Sequence, residues 1–198
     1  MTGFRGRFFV FLVLAWGLIP AAGAWGAPIQ WGPDGHYYEA FLVPEGVGWG
    51  PAQTWADNAG GYLAVIGSSD ENLFALSLVS NPAFWYVDGY GSQIGPWLGG
   101  YRIDSSNWGW VNGEAWGFTA WAPGEPNNMG GGENRLHFFY NSGGGGLWND
   151  IGENVQIHGY IVEYDQNPAA VPLPAALWLL GSGLMALAGF KGRKRFFG

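Results

Sequence analysis

The chain has 198 residues, with 15 Asp plus Glu, 8 Lys plus Arg and no cysteine, for a net charge of −7. That total is the sum of +2 over residues 1–24, −13 over 25–170 and +4 over 171–198. An acidic middle of this kind excludes nucleic acid as a partner, because phosphate binding needs basic surface; the missing cysteines exclude a disulfide framework, a thiolate metal site and a cysteine nucleophile.

Taken in chain order, the first segment is a targeting signal. Arg5 and Arg7 precede an apolar run from Phe8 to Ile19, followed by Pro20 and the small residues Ala22-Gly23-Ala24. A charged start, an apolar centre and an A-x-A cleavage site predict a signal peptide over residues 1–24. The run is too short to span a bilayer comfortably.

Residues 25–170 read as one domain, large enough for a single core. Its aromatic wealth (13 Trp in the whole chain) predicts a folded segment, and 36 Gly predict many turns. The partly alternating stretch His36–Val43 predicts a first strand. Thr54 to Ala59 predicts a short helix capped by Thr54 or a neighbour and ended by Gly60-Gly61. Tyr62–Ile66 predicts a short apolar strand. Ser68 and Glu71 have capping-box spacing. They open a second helix whose Leu73, Phe74, Leu76, Leu78 and Val79 should form a broad buried face ending before Asn81-Pro82. A strand follows from Trp97 to Tyr101.

From Ser105 to Gly132 the chain is rich in Gly, Asn, Pro and Trp, which predicts long loops. Loops of that length in a compact domain are functional or disordered. Trp108, Trp110, Trp116, Phe118 and Trp121 can pin them to the core. Trp97, Trp110, Trp121 and Trp148 are expected in the core, whereas Trp108 and Trp116 are the candidates for exposed rings that stack on a sugar. The glycines Gly143–Gly146 lengthen the loop before Trp148. Arg135–Tyr140 and His158–Tyr164 predict the last two strands. Two helices early and strands late give an α+β fold. His36, His137 and His158 share no metal-ligand spacing and read as ordinary strand residues.

The tail, residues 171–198, has no charge from Val171 to Phe190 and then carries Lys191, Arg193, Lys194 and Arg195. Twenty apolar residues in a helix reach about 30 Å, the thickness of a hydrocarbon core. The basic end should stay cytoplasmic, which places residues 25–170 outside the cytoplasm.

The chemistry gathers in the loops. Glu125-Pro126-Asn127, then Glu133-Asn134, then Asn149-Asp150 supply three carboxylates and several amide carbonyls. Oxygen donors of these kinds suit Ca²⁺, which takes six to eight of them in flexible geometry. Three carboxylates packed without a cation would repel or take up a proton. The Glu125–Pro126 bond also permits a cis turn that can face Glu125 and Asn127 to one point. Glu125 and Glu133 are also types a glycosidase uses, but nothing places them across a sugar bond. No Ser-His-Asp set or phosphate loop is visible, so binding is expected rather than catalysis.

Two resemblances follow from these motifs. VPLP at residues 171–174, an apolar run containing GSG and an arginine-rich end resemble the PEP-CTERM sorting signal of Gram-negative bacteria, with Pro172-Leu173-Pro174 where the usual motif has Pro-Glu-Pro. That resemblance implies processing by an exosortase-type sorting machinery, a membrane contact through the C-terminal helix, and association with exopolysaccharide. Residues 36–164 resemble the C-type lectin-like domain. The matching features run in family order: TWADNAGGYLAVI, the Ser-Ser-Asp-Glu helix start, WLGG, WGWVNG, EPN, a Glu eight residues later, WND and GYIVEY. The resemblance implies the C-type lectin-like fold, and Glu125, Asn127, Glu133, Asn149 and Asp150 as ligands of a Ca²⁺ ion that also hold vicinal sugar hydroxyls. Glu-Pro-Asn resembles the mannose-type choice. Asn128 and Asn134 replace the acids of an auxiliary calcium site. The expectation is therefore an exported, envelope-tethered, calcium-dependent glycan- or polysaccharide-binding protein. The alternative is a structural adhesin or protein-binding module in which calcium only braces loops.

Overall fold

The computed structural model describes residues 23–24, 26–141 and 144–168. The predicted signal peptide, apart from its last residues, and the predicted tail helix lie outside the described residues. Among the described residues no helix is long and apolar enough to cross a membrane.

The strands are β1 (Gly23–Ala24), β2 (Ile29–Gln30), β3 (Tyr37–Val47), β4 (Tyr62–Leu63), β5 (Tyr86–Val87), β6 (Gln93–Arg102), β7 (Trp108–Trp110), β8 (Arg135–Asn141), β9 (Gly144–Ile151) and β10 (Ile157–Tyr164). The helices are α1 (Trp49–Asn58) and α2 (Ser69–Ser77), with short 3₁₀ turns at Pro82–Phe84 and Met129–Gly131. The central path of the sheet runs β1-β3-β10-β6-β8-β9. Both ends of the domain meet where β3 pairs antiparallel with β10, Phe41 opposite Tyr160. The β10–β6 contact is parallel, at Tyr160 opposite Trp97. This is an α+β architecture, as the order of elements predicts; among the named strands of the described residues β10 and β6 pair in parallel and the others antiparallel, and a bridge from Trp121 to Trp148 is also parallel.

Trp97 and Trp148 are fully buried, as are Leu98, Phe138 and Ile161. Removing one such side chain from water contributes on the order of 2–3 kcal/mol. Gly99 sits where β6 crosses β4: a Cβ there would stand 2.3 Å from the Leu63 carbonyl oxygen, so only glycine lets the strands close.

Several expectations change. Helix α1 begins at Trp49, five residues before Thr54. Gly48 caps it without a side chain, and its entry is fixed from afar: Trp49 N–H donates to the Glu153 carbonyl at 2.9 Å and Trp49 Nε1 to the Leu98 carbonyl at 2.9 Å. Thr54 does not cap; its hydroxyl donates back to the Gly50 carbonyl within the helix. In α2 the cap holds, since Ser68 Oγ accepts from Glu71 N–H at 3.2 Å. Its buried face differs, however. Leu73 is 58% exposed while Glu71 and Asn72 are buried. Glu71 accepts from Tyr38 Oη at 2.5 Å and from Gly67 N–H. Asn72 bridges the Gly146 carbonyl and Trp148 Nε1. Satisfied polar groups can displace leucine from a core face in this way.

The glycine run before Trp148 is not a loop at Gly144–Gly146 but the start of β9, paired with β8. Inside the long loop region, Trp108–Trp110 forms a strand on β6, Gly100 opposite Trp110. Trp97, Trp110 and Trp148 lie in the core as expected, and Trp121 is partly buried against it. Trp108 is only 7% exposed, because its ring packs on Trp116 and Trp121. It is therefore not an exposed stacking ring; Trp116 is half-buried against the same cluster.

Candidate functional site

The loop carrying Glu125 is tied to β9 at its start. Ala122 N–H donates to the Trp148 carbonyl and Glu125 N–H to the Ala122 carbonyl, both at 2.9 Å. The Glu125–Pro126 bond is cis. Asp150 follows two residues after Trp148 on β9 and is fully buried. Its Oδ1 accepts from Asn127 N–H and its Oδ2 from Asn128 N–H, each at 3.0 Å. Glu125 accepts from the backbone and side-chain N–H groups of Asn127, both at 3.0 Å. Met129 N–H donates to Asn127 Oδ1 at 2.7 Å and to Glu133 Oε2 at 2.6 Å. Asn128 adopts a left-handed conformation, φ +48°, and its Oδ1 accepts from Glu133 N–H.

One hydrogen-bonded network thus joins Glu125, Asn127, Glu133 and Asp150. The fifth predicted residue, Asn149, sits beside Asp150 but turns to His137. Its Nδ2 donates to His137 Nε2 at 3.2 Å, while its Oδ1 is buried without a partner. His137 is fully buried, and its Nδ1 lies 2.6 Å from the Phe138 carbonyl. Burial pulls its pKa down to about 4, against the opposing Phe138 carbonyl and Asp150 charge. Both of its ring nitrogens are taken up inside the core, by the Phe138 carbonyl and by Asn149.

The electrostatics favour a cation. Burial raises the Glu125 carboxyl above the ordinary carboxylate range, and the charges of Asp150 and Glu133 raise it further. Burial likewise raises Glu133, with Asp150 adding to it and Met129 N–H and Arg102 opposing. Burial is the larger cause in both, and the neighbouring carboxylates add to it. The donor set therefore fits a hard cation: carboxylate and amide oxygens, plus the unpartnered Asn149 carbonyl. Among the described residues, however, no three acidic or histidine side chains already converge as a ready cage, because several of their oxygens accept from loop N–H groups.

Sequence reasoning missed Arg102. It ends β6 and reaches into this network. Its guanidinium pairs with Asp150 Oδ2, Nε donates to the Glu133 carbonyl at 3.0 Å, and its Cζ lies 4.8 Å from the Trp108 ring centroid. The charge count carried a signal, since Arg102 and Arg135 are the only cations among residues 25–170. Arg135 is spent elsewhere, on Glu153 and over Trp49.

A buried acid–base pair lies apart from this network. Glu163, 2% exposed, accepts from Val65 N–H at 2.8 Å and from Tyr62 Oη, and pairs with His36 Nδ1 at 2.7 Å. Burial raises its pKa to about 7, with Val65 N–H and His36 opposing and Glu71 adding. Burial alone would lower His36, but the hydrogen bond and charge of Glu163, with Asp34 and Asp165, outweigh it and raise the imidazole. Apart from both clusters, a groove of about 640 Å³ bordered by Leu73, Val79, Trp85 and Val87 includes none of the five predicted ligands.

Known proteins resemble the chain in two parts. Residues 170–195 match the PEP-CTERM protein-sorting motif. The rest is similar to a perlucin-like protein of Mytilus galloprovincialis, 29% identical over 158 residues, covering 77% of this chain and 92% of that protein. It is also similar to perlucin of Haliotis laevigata, 30% identical over 121 residues, covering 59% of this chain and 69% of that one. Among solved structures, the fold is shared with the C-type lectin domain of murine dendritic cell inhibitory receptor 2 in complex with N-glycan (TM-score 0.55, 23% identity, 70% of this chain, 98% of that one). It is shared equally with a calcium-independent type II antifreeze protein (TM-score 0.55, 20% identity, 69% and 90%). An α+β domain closed by a terminal strand pair and crowned by a WND-anchored loop is a C-type lectin-like domain. The chain belongs to that family, and it carries a PEP-CTERM sorting motif behind the domain.

Proposed function

We propose that this is an exported, envelope-tethered protein that binds a glycan or polysaccharide through Ca²⁺, with the mannose-type preference that Glu125-Pro126-Asn127 implies. The observation that carries the reading is the gathering of Glu125, Asn127, Glu133 and Asp150 into one under-compensated acidic network beside the unpartnered Asn149 carbonyl. These five residues would hold the ion. When bound, the ion supplies positive charge that takes up sugar hydroxyl oxygens. The chain's own part is to orient those hydroxyls: carboxylates accept their protons and Asn amides donate to their oxygens. Single-sugar affinity is weak, so useful avidity requires clustering, which tethering of many copies through the sorting tail supplies. The sorting motif implies an exosortase as partner and the cell envelope as destination.

A second reading, a structural adhesin or protein-binding module, is favoured by one fact. Most carboxylate oxygens of the site already accept N–H groups of their own loop. A glycan-array assay on the full-length chain, with calcium and with chelator, separates the two. Chelator-sensitive binding to mannose-bearing glycans is expected; binding that is absent or indifferent to chelator sinks the lectin reading. The double change Glu125→Gln, Asn127→Asp should move preference toward galactose.

A further inference from the structure

We propose that Arg102 is a resident cation and positioning residue of this loop: it holds Asp150 and the 125–134 segment in their binding arrangement without a metal, and it leaves room for a single divalent ion. The first half stands on geometry alone, and the second rests on the calcium reading above.

The guanidinium lies between two pieces of chain, the end of the loop at Glu133 and Asp150 on β9. One prong pairs with Asp150 Oδ2 on β9. Nε donates to the Glu133 carbonyl at 3.0 Å, on the far end of the loop, and a third nitrogen reaches the Ser105 carbonyl at 3.4 Å. Trp108 closes over it. The backbone adds a parallel tie, since Arg102 N–H donates to the Asn134 carbonyl at 3.0 Å. Asp150 in turn accepts from Asn127 and Asn128 N–H. A carboxylate aimed by a guanidinium thus fixes both ends of the segment that carries Glu125, Asn127 and Glu133. Arginine suits the task and lysine does not, because a planar fork serves two acceptors at once and a single ammonium group serves them poorly.

The charge count points the same way. Glu125, Glu133 and Asp150 carry −3 when ionised, and Arg102 returns +1. The residual −2 is neutralised by one divalent cation; a second would overshoot.

The test is amide exchange, read by mass spectrometry on the full-length chain in chelator. The measured quantity is the exchange rate of segment 125–134 divided by that of β10, so that opening of the segment is separated from global unfolding, which speeds β10 as well. In R102Q this ratio should rise about tenfold, as expected for hydrogen bonds to charged groups. In R102K it should rise roughly threefold, since charge persists without the fork. Saturating calcium should return R102Q toward wild type, giving it the larger calcium-induced shift in melting temperature. Calorimetry on wild type should count one calcium per chain. An unchanged ratio in R102Q overturns the positioning role. Two ions per chain overturn the charge count. If R102Q fails to fold, the ratio in R102K decides, and an unchanged value there overturns the role. If wild type takes up no calcium, the lectin reading fails while the ratio in chelator still judges Arg102.

Discussion

The strand-built half and the loop-built half of this domain are held by different forces. Around β3, β10 and β6, Trp97, Tyr160, Val162 and Ile157 pack out of water, and the energy comes from apolar area. From residue 103 to 134 the regular structure is one three-residue strand and a 3₁₀ turn. The loop is kept by a few charged hydrogen bonds and by tryptophans packed tilted or edge-on against Trp148. Packing tolerates no vacancy, whereas a polar network tolerates loss of an outer member and fails when its buried hub is cut. Three of the five candidate ligands, Glu125, Asn127 and Glu133, sit on the loop-built half, and Asn149 and Asp150 sit on β9 beside it.

That contrast can be broken from either side. The largest effect is expected where the halves meet. Trp148→Ala removes a fully buried ring that donates to Asn72 Oδ1 at 2.8 Å and should cost about 3–5 kcal/mol in urea unfolding. A cost below about 1 kcal/mol would show that the loop half does not lean on the core.

Next comes the polar exception inside the strand half. The Glu163 carboxyl is raised to about 7 in the fold, above its unfolded value, so folding takes up a proton. Its stability contribution is full in acid and is lost as pH rises through about 7, on the order of 3 kcal/mol across that window. His36, also raised, loses its contribution in the same direction. Melting temperature in chelator should fall from pH 5 to pH 8, and Glu163→Gln should flatten the slope; an equal slope in the variant would place the titration elsewhere.

Asp150→Asn should follow at about 2 kcal/mol, because it cuts the ion pair with Arg102 and leaves one amide oxygen for the N–H groups of Asn127 and Asn128, which now use two carboxylate oxygens. The same change should abolish calcium binding by calorimetry. Smallest in stability is Glu125→Ala, expected within about 0.5 kcal/mol of wild type in chelator. Its calcium-dependent glycan binding should nevertheless vanish, and retained binding would remove Glu125 from the site.

What a reader of the sequence could see lay within a few residues of itself. Ser68 and Glu71 announce a cap because capping is a contact three residues long, and it forms as read. The apolar stretch His158–Tyr164 announces a strand, and β10 forms there. EPN, the following Glu and WND announce the site, since each carries its donor chemistry locally, and four of the five residues meet. Helix α1 was read too short because its first turn is capped by Glu153, about a hundred residues downstream. The glycines at 144–146 read as a loop because their strand conformation comes from pairing with β8. Leu73 read as core because periodicity weighs hydrophobicity and cannot know that Tyr38 and Trp148 wait for Glu71 and Asn72.

The sequence by itself therefore determined the class of fold and the acidic character of residues 25–170, and it offered the candidate oxygen donors; all of these rest on composition and short-range pattern. Only the tertiary structure decided how charge is balanced there. Arg102 meets Asp150 across 48 positions and His36 meets Glu163 across 127. Coulomb attraction depends on distance in space and on burial, and neither is written in the order of residues until the chain has closed on itself.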